Sequence, residues 1–178
     1  RNTLLGKFMV SNEDCGNFMG SHFEPLTILL VVIFNFFESP YPFFLFTSLL
    51  LYANVPLIYY LARVKQVDKG PALALAALTA LSVSLGWLGF ARGYGFHDIY
   101  LFMPLLIAYF ILLETKHFRW AWAAVIAAFL LKEMTPVIFA GLGIIFVITG
   151  QRRRGITLFL LSTVYWLIVV KLVMPQFA

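Results

Sequence analysis

Apolar residues in this chain come in long runs separated by short polar breaks, and the breaks alternate in kind. One set is basic: Arg63/Lys65/Lys69, Lys116/Arg119 and Arg152/Arg153/Arg154. The other carries histidine, acids, glycine and aromatics: Ser21-His22-Phe23-Glu24-Pro25, Gly95-Phe96-His97-Asp98 and Lys132-Glu133-Met134-Thr135-Pro136. Runs such as 158–170 are continuous, as in a spanning helix. A membrane β-barrel would show alternating segments of ~10 residues instead.

Full-length helical spans are predicted at 43–64 and 71–90, a shorter one at 98–113 and a closing one at 156–174. Pro71 suits a helix entrance, where a missing N–H costs little. Residues 26–37 are apolar but too few for a span, which needs ~20. They are predicted to lie along the membrane surface, and Ser39-Pro40-Tyr41-Pro42 breaks the chain after them. Residues 1–24 are polar and Gly-punctuated, and read as an ordered loop.

The short runs 120–131 and 135–149 flank Lys132-Glu133. One tilted helix would place Arg152–Arg154 on the opposite face from Lys116/Arg119, against the tendency of basic loops to stay cytoplasmic. Two helices with the charged pair at the tip keep all three basic clusters on one side. The same parity keeps 26–37 out of the bilayer. The expected fold is therefore an all-α polytopic transmembrane bundle of about six spans plus one extracytoplasmic juxtamembrane helix. It forms a single integral-membrane domain over 1–178, with 1–24 as an extracytoplasmic loop, 26–37 as the surface helix and 43–174 as the bundle.

Composition agrees. Of the 178 residues, 62% are hydrophobic and only 12% charged, against ~45–50% and ~25% in soluble domains. The net charge of +5 does not call for nucleic acid, because eight of the thirteen Lys/Arg lie in the three basic breaks. A single cysteine, Cys15, permits no intrachain disulfide. The chain opens at Arg1 in a polar stretch and closes just after an apolar run, as expected of a fragment that lacks an upstream span.

Parity gathers His22, His97, Asp98, Lys132 and Glu133 on the extracytoplasmic face, with Glu13, Asp14 and Glu24. Ionisable groups between such short spans are costly unless paired or functional. His117, beside Lys116 and Arg119, reads as a solvated loop residue. Gly141-x-Gly143 reads as helix packing. Two histidines with Glu24 or Asp98 are the set that could hold a divalent metal; no motif demands a cofactor.

Five motifs stand in order. They are His22-Phe23-Glu24-Pro25, Tyr60-Leu61-Ala62-Arg63, Gly95-Phe96-His97, Lys132-Glu133 and Gly150-Gln-Arg-Arg-Arg-Gly155. Together they resemble the uncharacterised prokaryotic membrane-protein family catalogued as domain of unknown function twenty seventy-nine, across nearly the whole chain. That family is similar to the GT-C superfamily of glycosyltransferases, some of which use polyprenyl-phosphate sugars. The chain departs from the family pattern at Glu24 (usually Ser), Gly95 (Asp), Asp98 (Pro) and Met134 (Asp).

The resemblance implies a sugar transfer from a polyprenyl-phosphate donor at the extracytoplasmic face of the cell membrane, with a catalytic Asp upstream of Arg1. It casts His22, His97, Lys132, Arg92 and Tyr94 as substrate-binding residues, and Glu133, Asp98 and Glu24 as the candidate acids. The partners implied are the lipid bilayer and the lipid-linked donor. The alternatives are a transporter or permease, with Lys132-Glu133 and Asn54/Pro56 on its pathway, or a non-catalytic membrane subunit.

Overall fold

A computed structural model describes residues 10–11, 16–26, 28, 41–90 and 98–177. Six helices dominate: α1 (Tyr41–Val64), α2 (Lys69–Phe90), α3 (Phe102–Glu114), α4 (Phe118–Phe129), α5 (Thr135–Ile148) and α6 (Arg152–Ile168). They follow the predicted runs in order. A 3-10 turn, Asp98–Leu101, leads into α3, and α6 continues through a π-helical turn, Val169–Val173, into a 3-10 turn, Met174–Gln176. Before α1 stand a two-residue antiparallel pairing, Val10↔Asn17 and Ser11↔Gly16, and one helical turn, Phe18–Ser21. Of the predicted surface helix at 26–37, all but Leu26 and Ile28 lie outside the described residues.

The chain divides into two compact units, one of residues 37–127 and one of 1–36 with 128–178. In the first, α1 packs against both α2 and α3. In the second, α5 and α6 form an antiparallel hairpin, and Met174–Gln176 packs against Phe18–Ser21. The predicted start of the last span, residue 156, falls one turn late. Arginine is a good helix former, so the ladder runs back through Arg152 while the apolar pattern begins only after the charges.

The interior is apolar, as in a soluble domain, but so is much of the surface. Thr47, Asn54, Thr135 and Ser162 are buried, whereas Leu45, Leu49, Leu160, Val164 and Leu167 are exposed. Leaving one such leucine in water rather than burying it costs ~1.5–3 kcal/mol, so these faces suit lipid. Among the described residues, two helical stretches are long and apolar enough to cross a membrane, Leu45–Val64 and Arg152–Gln176. The chain is an all-α helical membrane protein. Pro56 sits inside α1, where a proline removes a backbone donor; the nearby Asn54 amide donates to Leu51 O at 2.9 Å.

The three basic breaks share one construction. A residue at positive φ ends each preceding helix: Gln66 (62°), Lys116 (62°) and Gly150 (91°). The next amide reaches back five residues, Val67 to Ala62, His117 to Leu112 and Gln151 to Phe146. This closure satisfies the last carbonyls from within the turn. Only Gly150 adopts that conformation freely; the two non-glycine residues hold it at a cost of roughly 1–2 kcal/mol each. In the first unit, Lys65 Nζ donates to Glu114 Oε1, so the α1–α2 and α3–α4 breaks stand at the same end. The pair is largely exposed and therefore marks geometry more than it stabilises.

The α5–α6 contact depends on two glycines. A Cβ on Gly143 would lie 2.7 Å from Phe159 N, and one on Gly155 would lie 2.5 Å from Gly143 O. Both obstacles are backbone, which cannot swing aside. Gly141 has open space around it. Gly143→Ala and Gly155→Ala should each destabilise the hairpin by about 1–3 kcal/mol through overpacking. Gly141→Ala should be neutral or stabilising by up to about 1 kcal/mol. Thermal unfolding in detergent separates the two outcomes.

Candidate functional site

The break between α4 and α5 is built differently from the basic ones. Pro136 occupies the first turn of α5, where its missing N–H leaves nothing unsatisfied. Thr135 Oγ1 lies 2.6 Å from Ala128 O and 2.9 Å from Lys132 O, folding the turn around a buried hydroxyl. Leu130 O takes its hydrogen bond from outside the turn, from Leu26 N at 3.1 Å. The helix therefore stops at Phe129 and restarts at Thr135, and Lys132-Glu133 lies in a turn rather than inside one tilted helix.

Through that contact His22-Phe23-Glu24 lies against Lys132-Glu133. Lys132 Nζ donates to Glu24 Oε1 at 2.9 Å. Phe23 N donates to Glu133 Oε2 at 3.1 Å. His22 Nδ1 lies 3.6 Å from Glu133 Oε1, beyond hydrogen-bond length but within reach of an ion pair when the ring is protonated. Beneath the turn, Phe129 packs against Tyr165 and meets Phe139 edge to face, with ring centroids 5.0 and 5.7 Å apart. Tyr165 OH donates to Phe129 O at 3.2 Å. These rings fix the floor on which the turn rests.

The four ionisable side chains are graded in depth. The side chain of Glu24 is 7% exposed and that of Glu133 13%, against 27% for Lys132 and 44% for His22. The two carboxylates are the less exposed members of the group, and the lysine and the imidazole the more exposed. A desolvated carboxylate costs several kcal/mol unless it is paired and hydrogen-bonded, and both acids meet that condition. The arrangement can orient a lysine and an imidazole toward an anion. It does not leave Glu24 facing a substrate.

Of the residues singled out in the sequence, the structure brings together His22, Glu24, Lys132 and Glu133. Asp98 opens the 3-10 turn before α3, in the 37–127 unit, and its side chain lies outside the described residues. Arg92, Tyr94 and His97, together with Glu13 and Asp14, also lie outside them. The metal set needed His97; among the described residues no three His, Cys, Asp or Glu converge on a metal-binding geometry. Sequence reasoning missed the contributions of Thr135 and of the Phe23 amide. Thr135-Pro136 was a legible helix start, but nothing local announced that its hydroxyl would close the preceding turn.

The family described as predicted membrane protein (DUF2079) matches residues 1–178. No curated protein and no solved structure matches the chain. The chain belongs to that family.

The ion pair makes a measurable contribution. Glu24→Gln or Lys132→Met alone should lower stability by about 1–3 kcal/mol, discounted from the ~3–5 expected for a fully buried pair because Lys132 is partly open. The double variant Glu24→Gln/Lys132→Met should lose less than the sum of the single losses. A double-mutant cycle from unfolding in mixed detergent micelles reads the coupling; strict additivity would mean the two side chains do not interact.

Proposed function

We propose that this membrane protein is a GT-C-like sugar transferase that takes its donor from a polyprenyl phosphate at the extracytoplasmic face of the cell membrane. The reading is supported above all by the graded cluster at the start of α5, where buried carboxylates present a lysine and a histidine at the opening. A lipid-phosphate donor asks for that arrangement: cations at the mouth of a site near headgroup height, held in place by groups that water does not reach. Asp98, His97, Arg92 and Tyr94 stay in the proposal as further candidate residues.

In the transfer, the acceptor hydroxyl oxygen attacks the anomeric carbon and the bond from that carbon to the phosphate oxygen breaks. The electron pair leaves with the phosphate. A carboxylate takes the acceptor proton as general base. Lys132 and His22 stabilise the charge growing on the departing phosphate. Glu24 holds the Lys132 ammonium toward the opening, which makes it a positioning residue. Glu133, fixed by the Phe23 amide, orients the imidazole and offers an acceptor to sugar hydroxyls.

The orientation rests on α5. Lys132-Glu133 precedes its first residue and Arg152–Arg154 follows its last, so the acidic cluster and the arginines stand at opposite ends of one helix. Basic turns favour the cytoplasmic side, which supports an outside position for the cluster. A helix of 14 residues is about 21 Å long, short of the ~30 Å hydrocarbon thickness, so the cluster is recessed below the surface.

Purified protein should transfer sugar from a polyprenyl-phosphate sugar. His22→Ala and Lys132→Ala should each lower the rate by at least ~100-fold, the usual scale for removing a group that stabilises transition-state charge, while both variants still insert. Full activity in both variants would remove the cluster from the mechanism. Topology is a separate check. A cysteine at Met134 should react with an impermeant maleimide from outside intact cells, and one at Thr149 only after permeabilisation. Labelling of position 134 from either side would favour a transport pathway instead.

A further inference from the structure

At the outer end of the proposed site, every described charge but one is already matched. Lys132 is paired with Glu24, and Glu133 holds the Phe23 amide and faces His22. Lys171 is the remaining cation. It lies in the π-helical turn Val169–Val173, is exposed, and makes no ion pair among the described residues. Three residues later, Met174–Gln176 packs against Phe18–Ser21, the turn that leads directly into His22. Lys171 therefore belongs to the same end of the 1–36/128–178 unit as the cluster.

Its depth and surroundings are specific. Lys171 follows Arg152 by nineteen residues, roughly 28 Å at a helical rise, about the thickness of a bilayer's hydrocarbon region. With the arginines at one boundary, Lys171 stands at the other, at the height of lipid phosphates. Below it, Leu160, Val164, Leu167 and Ile168 are exposed at successive turns, part of the apolar surface of α6 beneath an ammonium that has no ion pair among the described residues. The π-turn also matters, because widening the helix to i→i+5 bonding turns the residues after it to a new bearing and is uncommon away from functional positions.

We infer that Lys171 and the strip beneath it are the docking site for the donor lipid. The ammonium binds the phosphate and the prenyl chain lies along Leu160, Val164, Leu167 and Ile168. This rests on the proposed transferase reading and supplies what that reading lacks. Glu24 already neutralises Lys132, so a phosphate arriving at the cluster needs a further uncommitted positive charge. Lys171 provides it at the rim, on the flank where a lipid approaches through the bilayer plane.

The test is retention of undecaprenyl phosphate by the full chain in nanodiscs, read by native mass spectrometry. Lys171→Met should weaken retention by about tenfold or more, and Lys171→Arg should hold it within about threefold, since a guanidinium keeps the charge-assisted contact. Replacing Leu167 by Asn should weaken retention with Lys171 intact. Millimolar inorganic phosphate should not displace the lipid, and phosphatidylglycerol should bind equally to wild type and Lys171→Met. Undiminished retention by a correctly inserted Lys171→Met overturns the inference. So does a parallel loss of phosphatidylglycerol, which would make Lys171 a general headgroup anchor; a Lys171→Met that fails to insert passes the decision to Leu167→Asn and Lys171→Arg. If Lys171-dependent retention holds but no sugar is transferred, the docking site stands and the transferase reading falls. If transfer proceeds with unchanged donor KM in Lys171→Met, the docking site alone falls.

Discussion

Where a helix ends inside apolar surroundings, its last carbonyls and first amides must find partners, because lipid offers none. The protein meets this constraint in two ways, and the difference separates its two kinds of turn. The breaks after α1, α3 and α5 close on themselves: a residue at positive φ and an amide reaching back five positions satisfy the chain locally. The break after α4 does not. Leu130 O waits for Leu26 N, and the Glu133 carboxylate for the Phe23 amide. A self-sufficient turn can tolerate whatever side chains topology requires, hence the arginines and lysines. The dependent turn draws a distant segment down onto it and concentrates acids, a lysine and a histidine in one place.

That difference also sets what could be read from the sequence. The six helices were legible because apolar runs and charged breaks leave little freedom in a membrane. The split at Lys132-Glu133 was legible from the parity of the basic clusters, and Gly143 as a packing position from its small size within an apolar run. The start of α6 was displaced by one turn, since hydropathy marks where lipid begins and not where helix begins. Gln66 and Lys116 gave no sign of positive φ, a conformation that glycine or asparagine would have signalled. Contacts across more than a hundred residues, such as that of Lys132 with Glu24, leave no local trace at all. The sequence singled out the charged residues of this turn, but could not say which acid would hold which base.

The pairing of Glu24 with Lys132 changes the part each can take. Read from the chain alone, Glu24 is one more carboxylate on the outer loop. In the structure it is the least exposed of the four charged side chains, and its partner is turned toward the opening. An acid held this way steadies a cation. The two ends of α5 thus differ in design: Arg152 and Arg153 exposed beside a closed turn at one, interlocked side chains over an aromatic floor at the other.

The Glu24–Lys132 contact spans 108 positions, which orders events during synthesis. Glu24 emerges early, before α1, and its partner only after four helices have been made. Until then the carboxylate must remain hydrated, outside the lipid, since burial without the ammonium would cost several kcal/mol. Closing so long a loop is entropically slow to be rewarded. The cluster is therefore assembled last, by a leading segment that docks once the bundle beneath it already exists.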